Sequence, residues 1–277
     1  MKTIQNSDTG TDGRGKQRKL AVVFRPSQLA PRLEFWVQRF RWLLVALLLC
    51  LPSNVHAQPA DPHSVYLPLI TPAPAASNPV HQGIATYYDA TGAGACSFDA
   101  TPNDLLVTAM NAEEYADAAY CGAYLYVTGP LGSVTVRVVD LCPECRTGHL
   151  DLSQEAFAQI ANPMEGRVAI TWQLISPAVT GPIAYHFKEG SNQWWTAVQV
   201  RNHRNPIARL EYRTVGGDWI EVPRTDYNYF VQTNPGMGPG PYTFRVTDWY
   251  GHVLEDSGIA HMENGTVAGS DQFPPGP

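Results

Sequence analysis

Two aspartates stand where an apolar run ends or is broken. Asp140 lies in Val138-Val-Asp-Leu-Cys-Pro-Glu144, and Asp151 lies in His149-Leu-Asp-Leu-Ser153. A carboxylate at a strand end costs desolvation, so a chain that keeps one there usually has a use for it. Two such groups on a barrel rim could flank a glycosidic oxygen, one of them protonated as general acid. Thr86-Tyr87-Tyr88 joins them as a third segment of the same chemistry. The bland alternative stays open: Asp140 caps a turn, and Asp151 caps a helix that starts at Leu152. Trp194 and Trp195 form a second group, after a Gly-Ser-Asn-Gln turn. Neighbours in a strand face opposite ways, so both rings reach solvent only if the segment is a loop or bulge. Otherwise one is core and one surface. Trp172, Trp219 and Trp249 sit in β-rich runs and read as core residues.

The elements that must position these residues are mostly strands. Pro and Gly number 23 each, which favours turns and a β-rich chain. Gly83–Tyr88, Asp104–Asn111, Tyr124–Val127, Val134–Val139 and Arg167–Leu174 read as strands. Glu113–Ala119 reads as a short helix capped by Asn111, and Leu152–Ala161 as a second with Ser153 as cap. Six strands and two short helices in about 95 residues suggest a small closed barrel. Ser176–Pro182 is a two-proline hinge. Beyond it come short strands at regular spacing: Ile183–Phe187, Thr196–Arg201, Ile207–Tyr212, Asp218–Val222, Tyr229–Thr233, Tyr242–Thr247 and Val253–Leu254. That spacing marks an antiparallel β-sandwich.

Charge is unevenly spread. Residues 1–57 carry nine Lys/Arg against three Asp/Glu, and the remaining 220 carry ten against twenty-two. A basic start on an acidic body suggests a targeting segment, and the acidic body argues against nucleic acid as a partner. Arg39 and Arg41 precede the apolar run Trp42–Leu51, and Val55-His56-Ala57 offers small residues at a cleavage position. Residues 1–57 are therefore expected to be a secretory signal peptide, too short in its apolar run to span a bilayer. Residues 58–80 are Pro-rich and read as a linker. The expected domains are then a barrel over 81–177 and a sandwich over 178–277. Export leaves Cys96, Cys121, Cys142 and Cys145, an even set that favours disulfides. Three pairings are possible; Cys96–Cys121 with Cys142–Cys145 is favoured. A zinc site would need ligands beyond Cys142 and Cys145 that no second C-x-x-C provides, so neither metal nor cofactor is expected.

Over residues 83–277 the chain resembles the bacterial expansins. The motifs are Gly83-Ile-Ala-Thr-Tyr-Tyr88, Val139-Asp-Leu-Cys-Pro-Glu144, Leu150-Asp-Leu-Ser153, Lys188-Glu-Gly-Ser-Asn-Gln-Trp-Trp-Thr-Ala-Val-Gln-Val-Arg-Asn-His203, Asp226-Tyr-Asn-Tyr-Phe230 and Gln272-Phe-Pro274. The resemblance implies a mainly β protein: a six-stranded double-psi β-barrel, then an immunoglobulin-like β-sandwich that is a carbohydrate-binding module of family 63. It implies a secreted, monomeric protein that binds cellulose and associated plant-type glucans and loosens wall networks without hydrolysis. A weak endoglucanase or a peptidoglycan lytic transglycosylase, with Asp151 as general acid, is the alternative.

The barrel is related to glycoside hydrolase family 45, whose inverting mechanism needs an acid and a base. The resemblance places Asp151 in the acid position. Asp140, Thr86, Tyr88 and Glu144 belong to the groove. The hydrolase base falls two residues past Tyr88, at Ala90. Asp89 is the tempting substitute, and strand alternation turns it away from the groove unless a bulge intervenes. Without a base to activate water, an inverting hydrolase loses most of its rate, so no turnover is expected. Cys142 stands where the family pattern has an aromatic groove residue. In the sandwich the resemblance assigns sugar stacking to Trp194, Trp195 and Tyr227, with Lys188 bonding a hydroxyl. Flat rings of this kind each bury on the order of 100–200 Å². The barrel segment 83–176 holds three Arg and eleven Asp/Glu, which favours neutral glucans over pectin.

Overall fold

The structure is a computed structural model that describes residues 77–214 and 216–277. The signal-peptide expectation and most of the linker lie outside the described residues. The first sheet is a closed barrel of β1 (Val80–Tyr88), β2 (Val107–Asn111), β3 (Tyr124–Thr128), β4 (Ser133–Cys142), β5 (Leu150–Ser153) and β6 (Val168–Ile175), in the order β1-β5-β2-β4-β3-β6. Two of its pairings, β1 with β5 and β2 with β4, are parallel. Val80, at the end of the expected linker, already pairs with Gln173. Asn78 before it donates to the Leu174 carbonyl and the Tyr250 hydroxyl, both at 2.9 Å.

The barrel interior is filled by Ala85, Met110, Leu125, Val136, Leu150, Leu152 and Trp172. Alternation explains which residues face it. On β5, Leu150 and Leu152 are buried while Asp151 between them faces out. That period of two makes 150–153 a strand, where the sequence pattern suggested a helix from Leu152. The helix α2 (Gln154–Ile160) begins only after Ser153, whose hydroxyl accepts from the Ala156 amide at 3.1 Å. Ser153, not Asp151, is therefore the cap. Helix α1 (Ala112–Tyr115) is capped by Asn111 as expected, but is shorter than expected. Ala116, Asp117 and Ala118 all take positive φ and end it.

The sandwich packs two four-stranded sheets. One has the order β10-β9-β12-β13, and the other β11-β8-β7-β14. Their strands are β7 (Ala184–Phe187), β8 (Trp195–Arg201), β9 (Ile207–Arg213), β10 (Ile220–Val222), β11 (Phe230–Thr233), β12 (Tyr242–Asp248), β13 (Val253–Ile259) and β14 (Thr266–Ala268). The last has no counterpart among the sequence-predicted strands, because three residues with one apolar side chain give no periodic signal. Tyr185, Phe187, Val198, Leu210, Tyr242 and Phe244 form the inner layer. On the outer face of the second sheet, Trp195, Ala197, Gln199 and Arg201 alternate with the core positions of β8.

The barrel rests on that same outer face. The Cys96 carbonyl accepts from Gln199 Nε2 at 2.9 Å and from Asn228 Nδ2 at 3.2 Å. Arg201 pairs with Asp99 at 2.6 Å, and Arg224 donates to the Ala118 carbonyl at 2.9 Å. Tyr115 donates to the Asp226 carbonyl at 3.1 Å. The Cys96–Cys121 disulfide ties together the two barrel loops that make these contacts.

His203 is wholly buried at this junction, beside Gly122, where a Cβ would come within 2.6 Å of its Nε2. Its Nδ1 lies 2.8 Å from the Asn205 carbonyl. Burial, aided by the nearby Arg224 and Arg137, pushes the imidazole down to about 4, against the opposing pull of the Asn205 carbonyl. The unfolded chain takes up this proton near pH 6.5, as an ordinary histidine does. Stability is thus fully present above pH 6.5 and falls as pH drops towards 4, by about 3 kcal/mol. Urea unfolding at stepped pH should show this slope, and His203→Gln should reduce it, leaving the part due to His149 and His186, which burial also holds below the ordinary range. Asp99 and Glu211, held below the usual carboxylate range by arginines, act only in a more acid window.

Candidate functional site

Gly83 and Gly148 bring the barrel site together. A Cβ on Gly83 would lie 1.8 Å from the Gly148 carbonyl oxygen, so β1 and the turn before β5 cross closer than any side chain permits. The turn is held from two other sides. Trp172 Nε1 donates to the Gly148 carbonyl at 3.0 Å, and the Gly148 amide donates to Glu114 at 2.9 Å. Glu114 also accepts from Asn111, and it faces His81 Nδ1 at 2.8 Å; the His81 ring stacks on Trp172 at 3.9 Å.

Register then does the rest. Thr86 is paired with Asp151, Asp151 with Ala109, and Ala109 with Asp140. These four residues form one row across β1, β5, β2 and β4, with a bulge between Thr108 and Ala109. Ala109 sets the two aspartates two strand spacings apart, about 9.6 Å at the backbone. The Thr86 hydroxyl donates to Asp151 Oδ1 and lies 3.0 Å from His149 Nε2. Asp140 Oδ1 accepts from the Ala95 amide at 2.7 Å and the Leu141 amide at 2.8 Å. Gly94 leaves room for it, since a Cβ there would be 2.4 Å from the Asp140 carboxyl carbon. The expectation that Asp140 caps a turn therefore holds in part, across a long separation in sequence.

Tyr88 is half-buried, and burial together with Asp140 and Asp151 pushes its phenol well above the ordinary range. Its hydroxyl is neutral and has no hydrogen-bond partner among the described residues. Ala90 is buried in the barrel core cluster, and Asp89 is exposed. Glu144 is exposed in the turn after β4, which the Cys142–Cys145 disulfide closes. Cys142 itself is buried, so this end of the groove has a rigid turn and no ring. Among the described residues no group of His, Cys, Asp and Glu is arranged to hold a metal ion.

The sandwich residues form a second group, carried on the turns before β8 and β11. Trp194 sits on the turn before β8 and is 67% exposed, while half-buried Trp195 opens the strand. The turn resolves the period-two conflict, because Trp194 is outside the ladder. Asn192 Oδ1 fixes it by accepting from the amides of Trp194, at 2.9 Å, and Trp195, at 3.2 Å. Gly236, with φ 83°, passes beneath, where a Cβ would come within 2.1 Å of the Gln193 carbonyl oxygen. Tyr227, 36% exposed, projects from the turn before β11, 6.0 Å from Tyr229. Lys188 Nζ lies over the Tyr229 ring at 5.7 Å. Asn228, next to Tyr227, reaches the barrel at Cys96, and the neighbouring Ala95 amide reaches Asp140. The Tyr227 turn and the acid row thus meet through one loop.

Two expected core tryptophans are not in the core. Trp219 is half-exposed between the guanidinium groups of Arg213, at 4.4 Å, and Arg245, at 4.3 Å. Trp249 is 40% exposed and meets Tyr120 of the barrel edge-on at 4.6 Å. Both occupy positions where a cation or the other domain, rather than the sandwich core, takes the ring. Trp172 is buried as expected. In the sequence His149 stands only at the flank of a motif. The signal that could have found it is its spacing: on an extended segment it shares a face with Asp151, two residues on.

The architecture is that of a double-psi β-barrel joined to a β-sandwich with rings on its outer face. Comparison with known proteins agrees. A family model described as lytic transglycolase matches residues 80–172. Expansin-YoaJ of Bacillus subtilis is 42% identical over 215 residues, covering 73% of this chain and 90% of that protein. Expansin-like protein 1 of Dictyostelium discoideum is 28% identical over 61% of this chain and 63% of its own length. The crystal structure of the Clavibacter michiganensis expansin superposes with a TM-score of 0.66 at 37% identity, covering 70% of this chain and 98% of that one. A mutant of that expansin, solved in complex with cellohexaose, matches equally well. The chain belongs to the expansin family and is a bacterial expansin.

The charges around His149 give a test of the barrel site. Burial, then Arg167, holds its imidazole below the ordinary range, while Asp151 and Glu144 pull the other way. In an NMR titration Arg167→Gln should raise the His149 midpoint, and Asp151→Asn should lower it further. Shifts of the opposite sign would show that these groups do not face the ring.

Proposed function

We propose that this protein is exported, binds cellulose and related neutral glucans through Trp194, Trp195 and Tyr227, and loosens glucan networks through the Thr86–Asp151–Asp140 row without cutting the chain. The observation that carries this reading is the placement of the carboxylates. Asp151 is engaged by Thr86, Asp140 is engaged by two backbone amides, the base position is a buried alanine, and Asp89 is exposed outside the strand. An inverting hydrolysis needs a free carboxylate to activate water on the far face of the sugar. A row of fixed acceptors can instead hold hydroxyls while the rings anchor the chain. The cellohexaose bound by the Clavibacter relative is a neutral glucan of the expected kind. The export part of this reading rests on the basic, apolar segment of residues 1–57.

A second reading follows from the match of residues 80–172 to a lytic transglycolase model. In it Asp151 acts as general acid on peptidoglycan or glucan. Sugar release separates the two. The non-lytic reading expects no reducing ends from amorphous cellulose and no muropeptides from peptidoglycan. Products that vanish in Asp151→Asn would replace it with the lytic one.

Two outcomes are expected from variants. The triple Trp194→Ala/Trp195→Ala/Tyr227→Ala change should weaken cellulose pull-down on the order of a hundredfold, as three stacked rings are lost. Asp151→Asn should leave that binding within about twofold while abolishing extension of cellulose or wall strips under load. Pull-down on pectin should stay weaker than on cellulose at low salt, because the acidic barrel repels it.

A further inference from the structure

Strand alternation leaves one wall of the barrel without charge. Its outward residues are Val80, Gln82 and Ile84 on β1, Ala169, Thr171 and Gln173 on β6, and Tyr126 and Thr128 on β3. They fall in register. Val80 pairs with Gln173 and Gln173 with Tyr126; Gln82 pairs with Thr171 and Thr171 with Thr128; Ile84 pairs with Ala169. Val80 is 62% exposed and Tyr126 42%. Gln82, Thr128, Pro130 and Thr171 line an open hollow of about 470 Å³ on this wall. The barrel segment carries eleven Asp/Glu and three Arg, yet none stands at these positions; Arg167 lies just beyond the end of β6.

We infer that this wall is a second seat for a neutral polysaccharide chain, separate from the ring cluster of the sandwich. It rests on the reading that the protein binds neutral glucan. Three observations choose the occupant. The wall offers amides, hydroxyls and one exposed ring, the groups that meet sugar hydroxyls and sugar faces, and offers a charged partner nothing. It is small: two strand spacings wide and four residues long, about 10 Å by 14 Å at the backbone. With side chains that is a few hundred Å², well short of the roughly 800 Å² per partner that a stable protein interface needs. It is also continuous with the acid row, because Thr86 and Tyr88 extend the same outward face of β1.

The consequence is a protein whose barrel holds glucan along an uncharged wall beside the acid row, in addition to the rings of the sandwich. The test compares Tyr126→Ala/Thr171→Glu with wild type, and the same pair added to the triple ring variant, using insoluble cellulose and cellohexaose as probes. Both substitutions are at exposed positions, and a thermal melt checks that the fold is kept. Tyr126→Phe/Thr171→Ser serves as the conservative control. The inference expects the wall variant to weaken binding about tenfold in the wild-type background and the control to bind like wild type. It also expects any binding left in the ring variant to disappear when the wall is changed. Wild-type affinity of the wall variant overturns the second seat. If the ring variant has meanwhile lost affinity, the ring reading stands; if it too binds like wild type, the ring reading falls as well. A halving of mass in the wall variant by light scattering would assign the wall to a second copy of the chain and overturn the inference.

Discussion

The barrel site depends on a crossing with no room for a side chain. Gly83 on β1 and Gly148 before β5 approach so closely that one Cβ would overlap the opposing carbonyl. That approach lets β1 run beside β5 in the register that puts Thr86 opposite Asp151, where the Thr86 hydroxyl donates to the carboxylate. Trp172 and Glu114 hold the same turn by its carbonyl and its amide, so the geometry is fixed by backbone groups rather than by the functional side chains. The arrangement separates stability from chemistry. Asp151 lies outside the packed interior, whereas Leu150 and Leu152 on either side of it carry the packing.

A second constraint joins the domains. The Cys96 carbonyl accepts two side-chain donors from the sandwich, and the disulfide to Cys121 fixes the loop that presents it. The same loop presents the Ala95 amide to Asp140. One short stretch of backbone therefore touches the acid row on one side and the strand-and-turn that carry Tyr227 on the other. In the proposed reading a glucan held by the rings meets the row at a fixed offset, because the connection is a network of directed bonds rather than a flexible linker.

Period-two patterning made the strands legible, and with them the barrel and the sandwich. The caps Asn111 and Ser153 were legible too, because their role is local. What alternation could not give was register. Nothing in Leu150-Asp-Leu-Ser says that its aspartate pairs with Thr86, since that pairing is set by the glycine crossing sixty-five residues apart in the chain. The Trp194 turn was legible only as a conflict: two adjacent rings could not both face out from a strand, and Asn192 resolves it by capping their amides. Trp219 and Trp249 depart from the core expectation for one reason. A β-rich flank is compatible with either face of a sheet, and their partners, two arginines and a tyrosine of the other domain, are distant in sequence.

The distribution of charge bears on what the two domains can do together. Acidic residues could serve solubility anywhere on the barrel, but they are absent from the outward positions of β1, β6 and β3, while Asp140 and Asp151 are fixed in the row beside them. On the sandwich the arginines are largely spent internally: Arg201 on Asp99, Arg245 on Glu211, Arg224 on backbone carbonyls. Lys188 is drawn over Tyr229 rather than left pointing to solvent. Little free positive charge is then left near the rings to capture an acidic polymer, and the exposed carboxylates Glu189 and Asp226 beside them would repel one. Stacking on a sugar face needs no counter-charge and is little affected by salt, whereas polyanion capture would be screened within about 8 Å at physiological ionic strength. A surface so arranged gains from a neutral, stackable chain and gains almost nothing from a charged one.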